Sequence, residues 1–167
     1  AYLVTRQYIR PDKTSRLDRG EKAGLLMWGG WLVVTGLIFS YMSGTIHPYY
    51  TVALAPAIGA LVGLGAAFAW RLRDRLDGRI AMAAMVGLAA AWAIVLLSRN
   101  DFGPTWTRWA IGVVGAICAL GVVVGGVLRW KKVVATAAIV GALTGFSASA
   151  AFGIATAATE HTGSIPT

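Results

Sequence analysis

The chain has 167 residues, 57% of them hydrophobic and 13% charged, with a formal net charge of +8 and a mean hydropathy of +0.66. A soluble domain carries about a quarter of its residues charged; here the charge is sparse and the apolar residues form long runs, so the composition specifies an integral membrane protein. The basic residues lie in short clusters between those runs and not on one face of a water-soluble fold, which argues against nucleic acid as a partner.

Residues 1–22 mix apolar and charged side chains and read as the end of a preceding helix followed by a basic loop. They are too charged for a signal peptide. Five apolar runs follow, at 23–43, 52–70, 80–98, 110–128 and 133–158. At ~1.5 Å per residue each is long enough to cross ~30 Å of hydrocarbon. None alternates as barrel strands do, and only helices or closed barrels span lipid. The sequence therefore predicts an all-α fold: a polytopic transmembrane helix bundle of about five spans, residues 23–158, plus the end of a preceding helix. Residues 159–167 read as an extracytoplasmic tail leading to a further segment.

The loops give a direction. Arg6, Arg10, Lys13, Arg16, Arg19 and Lys22 precede the first span, Arg71, Arg73, Arg75 and Arg79 follow the second, and Arg129, Lys131 and Lys132 follow the fourth. Arg99 and Arg108 alone fall on the other side. The positive-inside rule then makes 1–22, 71–79 and 129–132 cytoplasmic and 44–51, 99–109 and 159–167 extracytoplasmic, in the cytoplasmic membrane. Trp70 and Trp130 mark the inner boundary, and Trp106 and Trp109 the outer one, where a sugar-stacking platform is the alternative.

Close approach of small residues drives helix association in lipid. Gly141, Gly145, Ser149 and Gly153, four apart on the fifth span, predict a packing face. Cys118 stands within an apolar run and is expected to be a small buried side chain. Two widely separated histidines and two outward acids offer no metal-ligand spacing.

The second span opens on "SGTIHPYYTVALAPAIGALVG", residues 43–63. Pro48 suits a first helical turn, Thr45 or His47 suits a cap, and Tyr49 and Tyr50 suit the water interface. Pro56 cannot donate to the Val52 carbonyl, which predicts a kink and a freed carbonyl seeking a partner in the bundle. Two readings of His47 stand: a cap, or a ligand for a phosphate at a helix N-terminus.

The stretch "FSYMSGTIHPYYTVALAPAIGALVG" resembles the His-Pro-Tyr-Tyr … Leu-Ala-Pro-Ala segment of bacterial family-39 glycosyltransferases of the actinobacterial type. These are related to the dolichyl-phosphate-mannose–protein mannosyltransferases of the GT-C superfamily. "LLMWGGWLVVTGLIFS", "LLSRNDFGPTWTRWAIG" and the tail "HTGSIPT" fit the same pattern. The resemblance implies an enzyme that moves a sugar from a polyprenyl-phosphate carrier to an acceptor at the outer membrane face. Such chemistry needs a carboxylate to take the acceptor proton and fixed positive charge for the departing lipid phosphate. His47, Tyr49 and Tyr50, with Arg99 and Arg108, would bind the donor phosphate and sugar. For the two arginines, interfacial anchoring is the competing role.

The family's acidic outer loop has no counterpart here. Asp101 reads as a turn residue and Glu160 lies in the tail. The chain is therefore expected to be the C-terminal membrane half of a longer transferase, with no catalytic residue of its own and inactive alone. No cofactor is identified beyond the lipid-linked donor, and a divalent metal is left open. The expected partners are membrane lipid, the donor, and the rest of the polypeptide or a larger membrane complex. The rival reading is a small non-catalytic membrane subunit packing through the Gly141/Gly153 stripe. A transporter is weaker, because the span interiors hold no ionisable relay.

Overall fold

The computed structural model describes residues 17–44, 47–99 and 103–158. The described residues are helical, with no strand among them. The helices are α1 (Arg19–Tyr41), a 3₁₀ segment (Pro48–Leu54) running into α2 (Ala55–Arg71), α3 (Leu76–Arg99), α4 (Thr105–Val127) and α5 (Lys131–Ala158). Five are long and apolar enough to cross a membrane, the 3₁₀ segment and α2 counting as one span. The chain is a multi-pass membrane protein. The expected preceding helix end, Thr45, Asp101 and the 159–167 tail lie largely or wholly outside the described residues.

The chain divides between Arg71 and Leu72 into two units. The first is a hairpin of α1 against the 3₁₀ segment and α2. α1 begins four residues before the apolar run because Asp18 and Glu21 form a capping box. The Glu21 N–H donates to Asp18 Oδ1 at 2.7 Å, and the Asp18 N–H donates to Glu21 Oε2 at 2.9 Å. The same Glu21 carboxylate accepts two bonds from Arg71, at 2.7 and 3.0 Å. Arg71 in turn lies 5.0 Å from the centre of the Phe68 ring. One polar knot therefore caps the start of α1 and fastens the end of α2 to it.

Between these ends Gly24 admits the Leu64 side chain. α1 buries no residue within its unit, and Leu26, Val33, Val34 and Ile38 are exposed. Such a face suits lipid or another protein surface.

The second unit packs α3, α4 and α5 mutually. Met82, Val86, Ala90, Ala93 and Leu97 of α3 meet Cys118 and Val122 of α4 and Val134, Ala137 and Ala148 of α5 as its buried residues. The contacts rest on small side chains. A Cβ at Gly115 would stand 2.5 Å from that of Ala90, and one at Gly145 would stand 2.6 Å from that of Ala89. A Cβ at Gly141 would stand 2.5 Å from Val86 and 3.2 Å from Cys118. Backbones this close gain dispersion contacts that larger side chains would forbid.

The packing face of α5 differs from the expected stripe. Gly141 is buried and Gly145 half-buried against α3, but Ser149 and Gly153 are exposed, with no atom within 4 Å of a Cβ at Gly153. The reason is rotation. A spacing of four overshoots one turn by about 40°, so Gly153 lies about 120° round from Gly141. Ala148 and Phe152, seven and eleven residues after Gly141, return to within about 20° of it. They are the residues that join Ala93 and Leu97 in a cluster that also takes in Ile111.

Candidate functional site

The His47–Tyr50 motif of the hairpin is built by one proline. As the residue before Pro48, His47 is held extended, with φ −94° and ψ 132°. Pro48 then sets the first turn, and the Tyr50 N–H donates to the His47 carbonyl at 3.0 Å. The turn is 3₁₀, so the chain advances tightly and brings three rings together. The His47 and Tyr49 rings stack, with centroids 5.2 Å apart and planes 13° from parallel. Tyr50 meets both edge-on, 5.6 Å from His47 and 4.8 Å from Tyr49. Offset stacks and edge contacts at these separations are the favoured aromatic geometries.

Two expectations about this stretch change. His47 precedes the helix but makes no side-chain capping bond, because its ring is turned onto Tyr49. Pro56 does not kink an α-helix; it sits at the second position of α2, just past the 3₁₀ segment. The Val52 carbonyl, denied the Pro56 donor, accepts the Ala55 N–H within the 3₁₀ turn. The bond across the hairpin falls on the next carbonyl. Ala53 would take a 3₁₀ bond from residue 56, which as proline has none to give. The indole N–H of Trp31 on α1 donates to Ala53 instead, at 3.0 Å. Trp31 also leans on Trp28, with centroids 5.8 Å apart.

Trp31 lies on the facing helix, outside the motif that marks the site in the sequence. The available signal was a tryptophan in the middle of an apolar span, whose N–H must find an acceptor there.

The cluster offers an imidazole, two phenol hydroxyls and aromatic faces. Tyr49 and Tyr50 are exposed and His47 is half-buried. An imidazole N–H and phenol O–H can donate to an anionic oxygen, and a ring face can stack against a sugar. Among the described residues no three His, Cys, Asp or Glu side chains come together, so no metal-ligand set can be named.

Arg99 and Arg108 belong to the second unit. Arg99 is the last residue of α3 and exposed; Arg108 lies in the first turn of α4 and is half-buried. Trp106 and Trp109 in that turn are 67% and 75% exposed, outward-facing rings at a helix end, as interfacial tryptophans are. The structure thus gathers His47, Tyr49 and Tyr50 into one cluster. The two arginines flank the α3–α4 connection.

Over 108 residues the chain is 32% identical to the Bacillus subtilis (strain 168) protein named "Putative mannosyltransferase YycA". The match takes in 58% of this chain and 15% of that protein, so the chain spans a small part of the relative. The match stands beside five helices, among the described residues, that are long and apolar enough to cross a membrane. No protein-family profile matches the chain. No solved structure matches it either.

Proposed function

We propose that this chain is the membrane part of a glycosyltransferase of the family-39, GT-C kind, which uses a polyprenyl-phosphate-linked sugar as donor. The observation that carries the reading is the His47–Tyr49–Tyr50 cluster, in a chain alike in sequence to a protein named as a mannosyltransferase. The charge pattern supports an orientation in the cytoplasmic membrane with 44–51 and 99–109 outside. In that orientation His47 donates to the carrier phosphate, while Tyr49 and Tyr50 contact phosphate or sugar. Arg99 and Arg108 add positive charge where the lipid phosphate departs. The acceptor's proton goes to a carboxylate base supplied by another part of the polypeptide.

The test is His47→Ala in the full-length polypeptide, with sugar transfer from a lipid-linked donor assayed in isolated membranes. Transfer is expected to fall while membrane insertion is kept; normal transfer at normal expression would refute the site.

A second reading, a small non-catalytic subunit of a larger membrane complex, draws on α1, which buries no residue in its own unit. Stoichiometric co-purification with subunits unrelated to sugar transfer would favour it.

A further inference from the structure

The second unit carries a cleft that donor binding does not use. The loop at 72–75 and the turn at 128–130 meet at one end of the three helices. Between them lies a shallow, half-open cleft lined by Arg73, Asp74, Gly125, Gly126, Arg129 and Lys131, with Val134 beside them. We propose that this cleft binds a phosphate oxyanion, and specifically the headgroup phosphate of an anionic phospholipid.

The site is built. Arg79 lies across Gly126, where a Cβ would come within 2.5 Å of its side chain. From there Arg79 Nε donates to the Arg73 carbonyl at 3.0 Å, and Nη2 donates to the Asp74 carbonyl at 2.7 Å. Arg79 is thus a positioning residue that fixes the loop bearing Arg73. On the other wall α4 ends in a doubly bonded turn. The Trp130 N–H reaches the Gly125 carbonyl at 2.7 Å, and the Arg129 N–H reaches that of Gly126 at 3.3 Å. These bonds occupy carbonyls that would otherwise repel an anion at a helix C-terminus. They also hold Arg129 at φ +59°, a left-handed position where glycine is usual.

The charge balance favours an anion. Arg73, Arg129 and Lys131 face one carboxylate on the cleft, that of Asp74. The neighbouring Asp77 carboxylate is engaged by Arg75 at 3.1 Å. Among the described residues Arg129 and Lys131 enter no ion pair. A topology signal requires only that these clusters lie on one side of the membrane. Here two clusters far apart in sequence, Arg73 in one and Arg129 with Lys131 in the other, converge on one cleft. The cleft stands at the ends of three spans beside the exposed Trp130, the depth at which basic pockets between spans meet anionic headgroups.

The experiment uses the full-length polypeptide in detergent, titrated with phosphatidylglycerol or phosphatidylcholine and followed by native mass spectrometry. Phosphatidylglycerol is expected to bind several-fold more tightly. Arg129→Gly, which suits the left-handed turn and so preserves the fold, and Lys131→Gln are each expected to weaken it about five-fold. Lys132→Gln removes the same charge from an exposed side chain of the same unit that does not line the cleft and should leave affinity near wild type. Equal binding of the two lipids, or an equal loss in Lys132→Gln, would overturn the site. A parallel titration with inorganic phosphate separates the sources. If phosphate displaces the lipid at comparable concentration, the cleft is a soluble-phosphate site and the lipid assignment falls.

Discussion

Trp31 donates its indole N–H to the Ala53 carbonyl at 3.0 Å, at the point where Pro56 withdraws the 3₁₀ donor that Ala53 would otherwise use. The bond ties α1 to the segment that carries His47, Tyr49 and Tyr50. A proline placed for local geometry thus creates an acceptor, and a tryptophan on the facing helix satisfies it.

Trp31→Phe keeps the ring and deletes the donor. In a membrane the loss is expected to be about 0.6–2 kcal/mol, read as a lower midpoint of thermal unfolding in detergent. If the hydrogen bond also holds the ring cluster in place, the KM for a lipid-linked donor rises more than kcat falls.

His47→Phe preserves the stack on Tyr49 and removes the imidazole N–H. A ring that serves only as packing would tolerate the change with full transfer activity. A phosphate donor would not, and activity should fall toward that of His47→Ala while the unfolding midpoint stays near wild type.

The pair of Glu21 and Arg71 fastens the hairpin at its opposite end through two bonds, at 2.7 and 3.0 Å. Glu21→Gln should lower the unfolding midpoint more at low salt than at high salt, because the pair is solvent-accessible and screened. The exchange Glu21→Arg with Arg71→Glu should recover little. Glu21 also serves the Asp18 capping box, and an arginine there cannot accept its N–H bond.

Gly145 and Gly153 separate a packed from an unpacked glycine on one helix. Gly145→Val forces a side chain against Ala89 and is expected to cost about 1–3 kcal/mol. Gly153→Val has open space and should stay within about 0.5 kcal/mol. Equal effects on thermal unfolding would contradict the α5 packing.

Gly78 lies under the loop that leads into α3, where a Cβ would run into the backbone carbonyl of Leu72. That carbonyl also accepts the Arg75 N–H at 2.8 Å. Gly78→Ala must open the loop. It should lower the unfolding midpoint and, by shifting Arg73, weaken anionic-lipid binding.

The sequence by itself determined the class, the number of spans and their approximate limits. Each follows from one-dimensional quantities: run length against bilayer thickness, and the cost of unsatisfied backbone in lipid. It also marked His47 to Tyr50 as unusual, since a proline with three polar aromatics at the head of an apolar run is visible without coordinates. Helix starts were partly legible; Asp18-x-x-Glu21 is a capping-box pattern that places α1 four residues earlier than hydropathy does.

What only the tertiary structure decided are the relations that depend on rotation and distance between elements. The i+4 spacing of Gly141, Gly145, Ser149 and Gly153 could not reveal that the true face turns to Ala148 and Phe152, because 3.6 residues per turn carries a strict four-residue stripe around the helix. The His47 ring lies on Tyr49 and not over the helix amides because a residue before proline is extended. The acceptor for Trp31 depends on a 3₁₀ segment, which apolar periodicity does not distinguish from α-helix. The cleft joining Arg73 to Arg129 and Lys131 exists because close-packed small residues let α3, α4 and α5 approach, a matter of three-dimensional contact that charge counting cannot resolve.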